Sequence, residues 1–139
     1  MESLTLLKVG GKIVEEPDSL VRFLDDFAKI DGQKVLVHGG GRSATKMAER
    51  LGVETQMVNG RRITSAEMLQ VVTMVYGGLV NKNVVVQLQS RGVDALGLTG
   101  ADMNYMLADK RKNAEIDYGF VGDVKKVDGE KLKSLICQN

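Results

Sequence analysis

The stretch Lys8-Val9-Gly10-Gly11-Lys12 places an ammonium beside two residues whose backbone N–H groups have no Cβ in the way. A cation next to open amides is a cradle for phosphate. A second run, Gly39-Gly40-Gly41, stands just before an amphipathic stretch. Consecutive glycines are costly in backbone entropy, so bare backbone is needed there, and a helix N-terminus draws anions through its unpaired N–H groups. The spacing matches neither a P-loop nor the G-x-G-x-x-G dinucleotide fingerprint. His38, just before the run, is read as a structural residue at a strand end. Arg61 and Arg62 are neighbours on an extended stretch and therefore face opposite ways. One of them can point inward and grip a carboxylate through two parallel hydrogen bonds. A lysine, two glycine turns and an arginine at one place suit an anionic substrate that gains or loses a phosphoryl group.

These residues need elements to hold them. Leu4 to Lys12 begins as an apolar run of strand length and stops at Gly10-Gly11, and Lys34 to Gly41 repeats the pattern. Both are expected to be buried strands. Between them Leu20, Val21, Leu24, Phe27 and Ile30 recur at helical spacing, with Pro17 suited to the first turn. After the triple glycine, Ala44, Met47, Ala48 and Leu51 line one helical face, and Gly52 suits the position just past the helix end. Strand, helix, strand, helix is a right-handed start to a parallel sheet. Both glycine turns then lie at its carboxyl edge, where open α/β sheets bind ligands.

Asn59-Gly60 between two short extended runs predicts a hairpin. Thr64 and Glu67 have capping-box spacing and open a long helical stretch that Gly77-Gly78 interrupts. Val93 to Gly100 is expected to be another buried strand. Residues 117–128 are expected to fold as a second hairpin, and Gly129 to Ile136 as a helix.

The chain has 139 residues, 43% of them hydrophobic and 27% charged, which fits one folded domain. A net charge of +1 shows no nucleic-acid footprint. No apolar run approaches membrane-spanning length, and Glu2 argues against a signal peptide. Cys137 is the single cysteine and His38 the single histidine, so no internal disulfide and no metal site are expected, and a cytoplasmic setting fits.

The segments LLKVGGK, VLVHGGG, VNGRRIT and ALGLTGAD, in this order and spacing, resemble the amino-acid kinase family, in particular its acetylglutamate kinase branch. The resemblance implies a three-layer αβα sandwich with a mostly parallel central sheet. It implies transfer of the ATP γ-phosphoryl group to the side-chain carboxylate of an N-acylglutamate, a step of arginine biosynthesis. Lys8 would be the catalytic lysine that neutralises the transferring group. Gly10 and Gly11 would bind phosphate, Gly40 and Gly41 the substrate, and Arg62 a substrate carboxylate. The helix from Ser65 to Ser90 would form a homodimer contact.

The resemblance further implies that residues 1–139 are the N-terminal, acylglutamate-binding domain. The nucleotide-binding lobe would lie beyond it. ATP with Mg would then be bound by the complete enzyme only, and this chain alone is expected to be inactive. Arg42 stands where the family often has a small or apolar residue, and TGADMNYMLADKR departs from a glycine-rich stretch of close relatives. Arg42 and Arg61 are therefore candidates for acyl-group selectivity, for instance for N-succinylglutamate, which carries an additional carboxylate. Two other readings remain open: another amino-acid kinase, or a non-catalytic dimeric module that binds an acyl amino acid.

Overall fold

A computed structural model describes residues 3–112 and 115–138. Strand β1 (Thr5–Val9) pairs in parallel with β2 (Lys34–His38), in register from Thr5–Lys34 to Val9–His38. The connection between them holds two helices, α1 (Gly11–Glu15) and α2 (Pro17–Ala28). Lys12 thus lies in a short helix rather than at the end of a strand, because Gly10 turns the chain and its carbonyl accepts from Ile13 and Val14. Pro17 occupies the first turn of α2, as its fixed φ favours. Helix α3 (Gly41–Arg50) follows β2 directly. It ends in a Schellman motif: Gly52 has φ +69°, its N–H donates to Glu49, and the Val53 N–H donates to Ala48.

Strands β3 (Gln56–Val58) and β4 (Arg61–Ile63) form the expected antiparallel hairpin. Asn59 and Gly60 both have positive φ, as the tight two-residue turn requires. Then comes one continuous helical rod. It comprises α4 (Ala66–Val72), a π-helical stretch (Thr73–Val80) and α5 (Asn81–Gln89). Gly77-Gly78 neither breaks nor kinks the rod out of helical form; it sits inside the wide turns. By length and composition, Ala66–Gln89 is apolar enough to cross a membrane, contrary to the sequence expectation. Met68, Val71, Val75, Val80, Val84 and Leu88 instead bury one side of it in the protein core.

That core has two connected parts. Val9, Val14, Ala44, Ala48, Met68, Val71, Val75 and Val80 form one, and Leu20, Leu24, Phe27, Val84 and Leu88 the other. Leu36 of β2 touches both. Among the described residues the sheet carries helices on one face only. Leu7 and Val9 pack inward, whereas Leu6 and Val37 are 63% and 44% exposed. The two strands therefore alternate between packed and open residues instead of being buried on both sides. The structure is an α/β fold with parallel strands, and its described residues supply the sheet and the helices of one face.

Three further expectations are corrected. Residues 93–100 join no ladder; side chains of α5 take up two of their carbonyls, Lys82 Nζ donating to Gly97 and Asn81 Nδ2 to Leu98. The second hairpin pairs β5 (Met106–Lys110) with β6 (Gly122–Val127), so its first strand lies upstream of residues 117–121. Tyr118 to Phe120 instead bracket Thr64, which donates to Tyr118 O and accepts from the Phe120 N–H. Thr64 is thereby committed to that bridge, and Ser65 caps α4, its hydroxyl accepting from the Met68 N–H. The last element is the expected helix, α6 (Gly129–Ile136), with Asp128 capping its N-terminus.

Candidate functional site

The parallel register brings the ends of β1 and β2 side by side, Val9 opposite His38. Gly10-Gly11 and Gly39-Gly41 therefore emerge at one carboxyl edge. Gly10 is an extended residue, and open space lies where a Cβ would stand on it and on Gly39. Gly40 is buried as the N-cap of α3, but a glycine has no side chain to cap with. Glu15, at the end of α1, supplies the missing acceptor: its Oε1 takes the Ser43 N–H at 2.7 Å. One first-turn amide of α3 is thus already bound to a carboxylate of the chain itself. The remaining bare backbone lies toward Gly39 and Gly40.

Arg62 reaches this turn from the hairpin. Its Nη2 donates to the Gly41 carbonyl at 3.0 Å and to Thr45 Oγ1 at 2.8 Å, while Thr45 Oγ1 donates to the same carbonyl. Its Nη1 is buried without a partner among the described residues. A buried guanidinium nitrogen lacking an acceptor is costly unless a ligand oxygen completes it. Arg61 faces the other way and is exposed, as strand alternation requires. Its charge is felt at Asp123, whose carboxyl is held low mainly by its Arg111 partner.

Lys8 is exposed on the open face of the sheet, two residues before Gly10. Arg42 is exposed on the first turn of α3. The structure therefore joins Gly40, Gly41 and Arg62 by direct contact and brings Gly10, Gly11 and Lys8 to the same edge. Neither Arg42 nor Arg61 makes a hydrogen bond to that cluster among the described residues.

Three site residues were missed. Glu15 gave no signal, since nothing in its spacing says which helix it caps. Tyr76 lies across the glycine turn: a Cβ on Gly40 would stand 2.7 Å from its Cδ1. Asn81 was legible only as a polar residue inside an apolar stretch. It is buried, and its Nδ2 faces His38 Nε2 at 3.2 Å.

A family model described as the amino acid kinase family matches residues 3–139. The chain belongs to the amino acid kinase family. Within that family it is 70% identical, over 99% of its length, to the acetylglutamate kinase of Parabacteroides distasonis, and 44% identical, over 96%, to that of Methanopyrus kandleri. It spans about half of these relatives, 54% and 53% respectively. The crystal structure of smu.665 from Streptococcus mutans UA159 superposes with a TM-score of 0.76 at 28% identity, over 97% of this chain and 55% of that one. N-acetylglutamate synthase from Neisseria gonorrhoeae, complexed with coenzyme A and N-acetyl-glutamate, has the same TM-score at 18% identity, over 98% of this chain and 31% of that one; this is a likeness of fold. The amino-acid kinase resemblance seen in the sequence motifs is thus borne out, and so is the α/β fold class.

Proposed function

We propose that this chain is the acylglutamate-binding part of an acetylglutamate kinase-type phosphotransferase. The observation that carries the reading is Arg62, locked onto the first turn of α3 by Gly41 and Thr45 with Nη1 left buried and unpartnered among the described residues. A substrate carboxylate is the acceptor that such a nitrogen lacks. The acetylglutamate kinase name of close relatives supports glutamate carrying an N-acyl group as the carboxylate's owner.

In the proposed reaction a side-chain carboxylate oxygen of the acylglutamate bonds to the γ-phosphorus of ATP. The bond from that phosphorus to the β–γ bridging oxygen breaks, and its electrons leave with ADP. The products are an acyl phosphate and ADP, with no covalent bond to the enzyme. Such transfer depends on positioning and charge neutralisation. Arg62 would orient the substrate. Lys8 would offset charge on the transferring group, and the amides of Gly10, Gly11, Gly40 and Gly41 would hold its oxygens. The described residues contain no group of three or more His, Cys, Asp or Glu side chains suited to a metal. Mg would accompany the nucleotide.

A homodimer through the rod belongs to the same proposal. Met74, Leu79 and Val86 are 53%, 57% and 62% exposed along it, and nothing lies within 4 Å of a Cβ built on Gly78. An apolar, low-relief side of this kind suits a second copy.

The test is phosphoryl transfer by the full-length protein to N-acetylglutamate, N-succinylglutamate and unacylated glutamate, beside calorimetry on the 139-residue chain. Transfer to an acylglutamate, with binding of that substrate but not of Mg-ATP by the chain, is expected. Transfer only to another carboxylate or to carbamate would move the protein elsewhere in the family. Binding without transfer would make it a sensing module.

A further inference from the structure

The π-helical stretch changes which residues of the rod share a side. In an α-helix, residues five apart point about 140° away from each other. In a π-helix the hydrogen bonds close from i to i+5, which stacks such residues on one side. Here the Asn81 N–H donates to the carbonyl of Tyr76. Tyr76 and Asn81 are thereby turned together toward the end of β2.

Each then meets the glycine turn. The Tyr76 ring closes over Gly40, with Val80 Cγ2 beside it, and its hydroxyl lies 3.5 Å from the place of a Gly41 Cβ. Asn81 Nδ2 donates to the carbonyl of Leu98 at 3.3 Å, which sets the amide's orientation, and the same nitrogen donates to His38 Nε2. With Nε2 accepting, the His38 proton sits on Nδ1 and is donated to the Gly39 carbonyl at 2.8 Å. Asn81 Oδ1 is buried against Gly97 with no hydrogen-bond partner among the described residues. The cost of leaving it so is borne at a place where the other half of the amide holds the turn.

We propose that Tyr76 and Asn81 are positioning residues that the π-turn aligns to hold Gly39–Gly41 in its anion-accepting shape. Asn81 acts through His38 on the Gly39 carbonyl, and Tyr76 presses on Gly40. They touch no reacting atom. The inference rests on the phosphotransferase reading for its kinetic consequence, but its structural half stands without catalysis.

His38 is the only histidine in the chain, so its ring nitrogens can be read by 15N NMR without assignment ambiguity. The wild-type chain is expected to show the Nδ1–H tautomer, and Asn81→Leu to lose that preference. In the full-length protein, Tyr76→Ala and Asn81→Leu are expected to lower kcat by about tenfold or more, with KM for ATP nearly unchanged, since small misplacements of a reacting group have effects of this size. Their losses should overlap rather than add, because both act on one turn. Tyr76→Phe, which keeps the ring over Gly40, should recover most of the loss. Leu24→Ala, a core change in α2 within the part of the core that holds neither Ala44 nor Val80, should keep kcat. The proposal is overturned by an unchanged tautomer in Asn81→Leu, or by Leu24→Ala losing kcat as Tyr76→Ala does. A wild-type protein that transfers no phosphoryl group, yet shows the tautomer and its loss in Asn81→Leu, would remove the kinase reading and keep the positioning pair.

Discussion

A Cβ added to Gly40 would come within 2.7 Å of Cδ1 of Tyr76, with Val80 Cγ2 at 3.4 Å on the same side. The glycine is there because an aromatic ring occupies the space of a side chain. Gly40→Ala is expected to destabilise the protein by about 1–3 kcal/mol, the usual range for overpacking. Tyr76→Ala in the same chain should return part of that loss. Urea denaturation of the two single variants and the double variant measures the coupling, and strict additivity would show that the turn yields freely.

Arg62 uses Nη2 for Gly41 and Thr45 and keeps Nη1 in reserve. A lysine has one nitrogen and cannot do both. Arg62→Lys should keep the fold and weaken acylglutamate binding by about tenfold or more, the loss of one charge-assisted bond. Calorimetry decides this; unaltered affinity would make Arg62 only a brace between hairpin and helix.

Gly77 and Gly78 are adjacent but not equivalent. A Cβ on Gly77 would meet Thr99 Cγ2 at 2.9 Å, whereas Gly78 faces open space. In a helix, alanine is favoured over glycine by about 1 kcal/mol. Gly78→Ala should therefore raise the melting temperature by several degrees and Gly77→Ala by less. A bulky Gly78→Leu should leave the monomer folded and weaken self-association in sedimentation. A wild-type chain that stays monomeric at high concentration would end the dimer proposal.

Arg42 occupies the first turn of α3, where a cation is disfavoured by the helix dipole. If an acyl-group carboxylate is its partner, the full-length protein prefers N-succinylglutamate over N-acetylglutamate in kcat/KM, and Arg42→Ala removes the preference. A ratio that Arg42→Ala leaves unchanged would identify a solvated surface charge.

Asp102 Oδ2 accepts from the Thr99 N–H at 2.5 Å and its hydroxyl at 2.9 Å, and these bonds hold its carboxyl below the usual range. A lowered folded-state value stabilises above the unfolded value, about pH 4. That contribution is lost as pH falls through the folded-state value. The turn from Thr99 to Asp102 should loosen there, read as a smaller protection factor of the Thr99 amide, its exchange rate being taken relative to the intrinsic rate at each pH. Asp102→Asn should already show the smaller protection factor at pH 7, with little further change on acidification.

Local chemistry determined much of this protein. The parallel pair around α2, the Asn59-Gly60 turn, the Gly52 helix end and the outward and inward arginines all follow from neighbours a few residues apart, because glycine φ, strand alternation and helical period act at that range. The motif order carried the family, and it singled out Gly40, Gly41 and Arg62, which the structure brings together at one turn. Tertiary structure decided the rest. Thr64 lost its capping role to Ser65 because Tyr118 and Phe120, more than fifty residues later, claim its backbone. The strand expected at residues 93–100 gave two of its carbonyls to Lys82 and Asn81. The first strand of the second hairpin moved upstream to residues 106–110 because that segment offers the longer ladder to β6. The apolar pattern of the rod is compatible with both α and π winding. Only packing of Tyr76 and Val80 on Gly40, with Gly77 against Thr99, distinguishes them, since those contacts depend on where distant backbone runs.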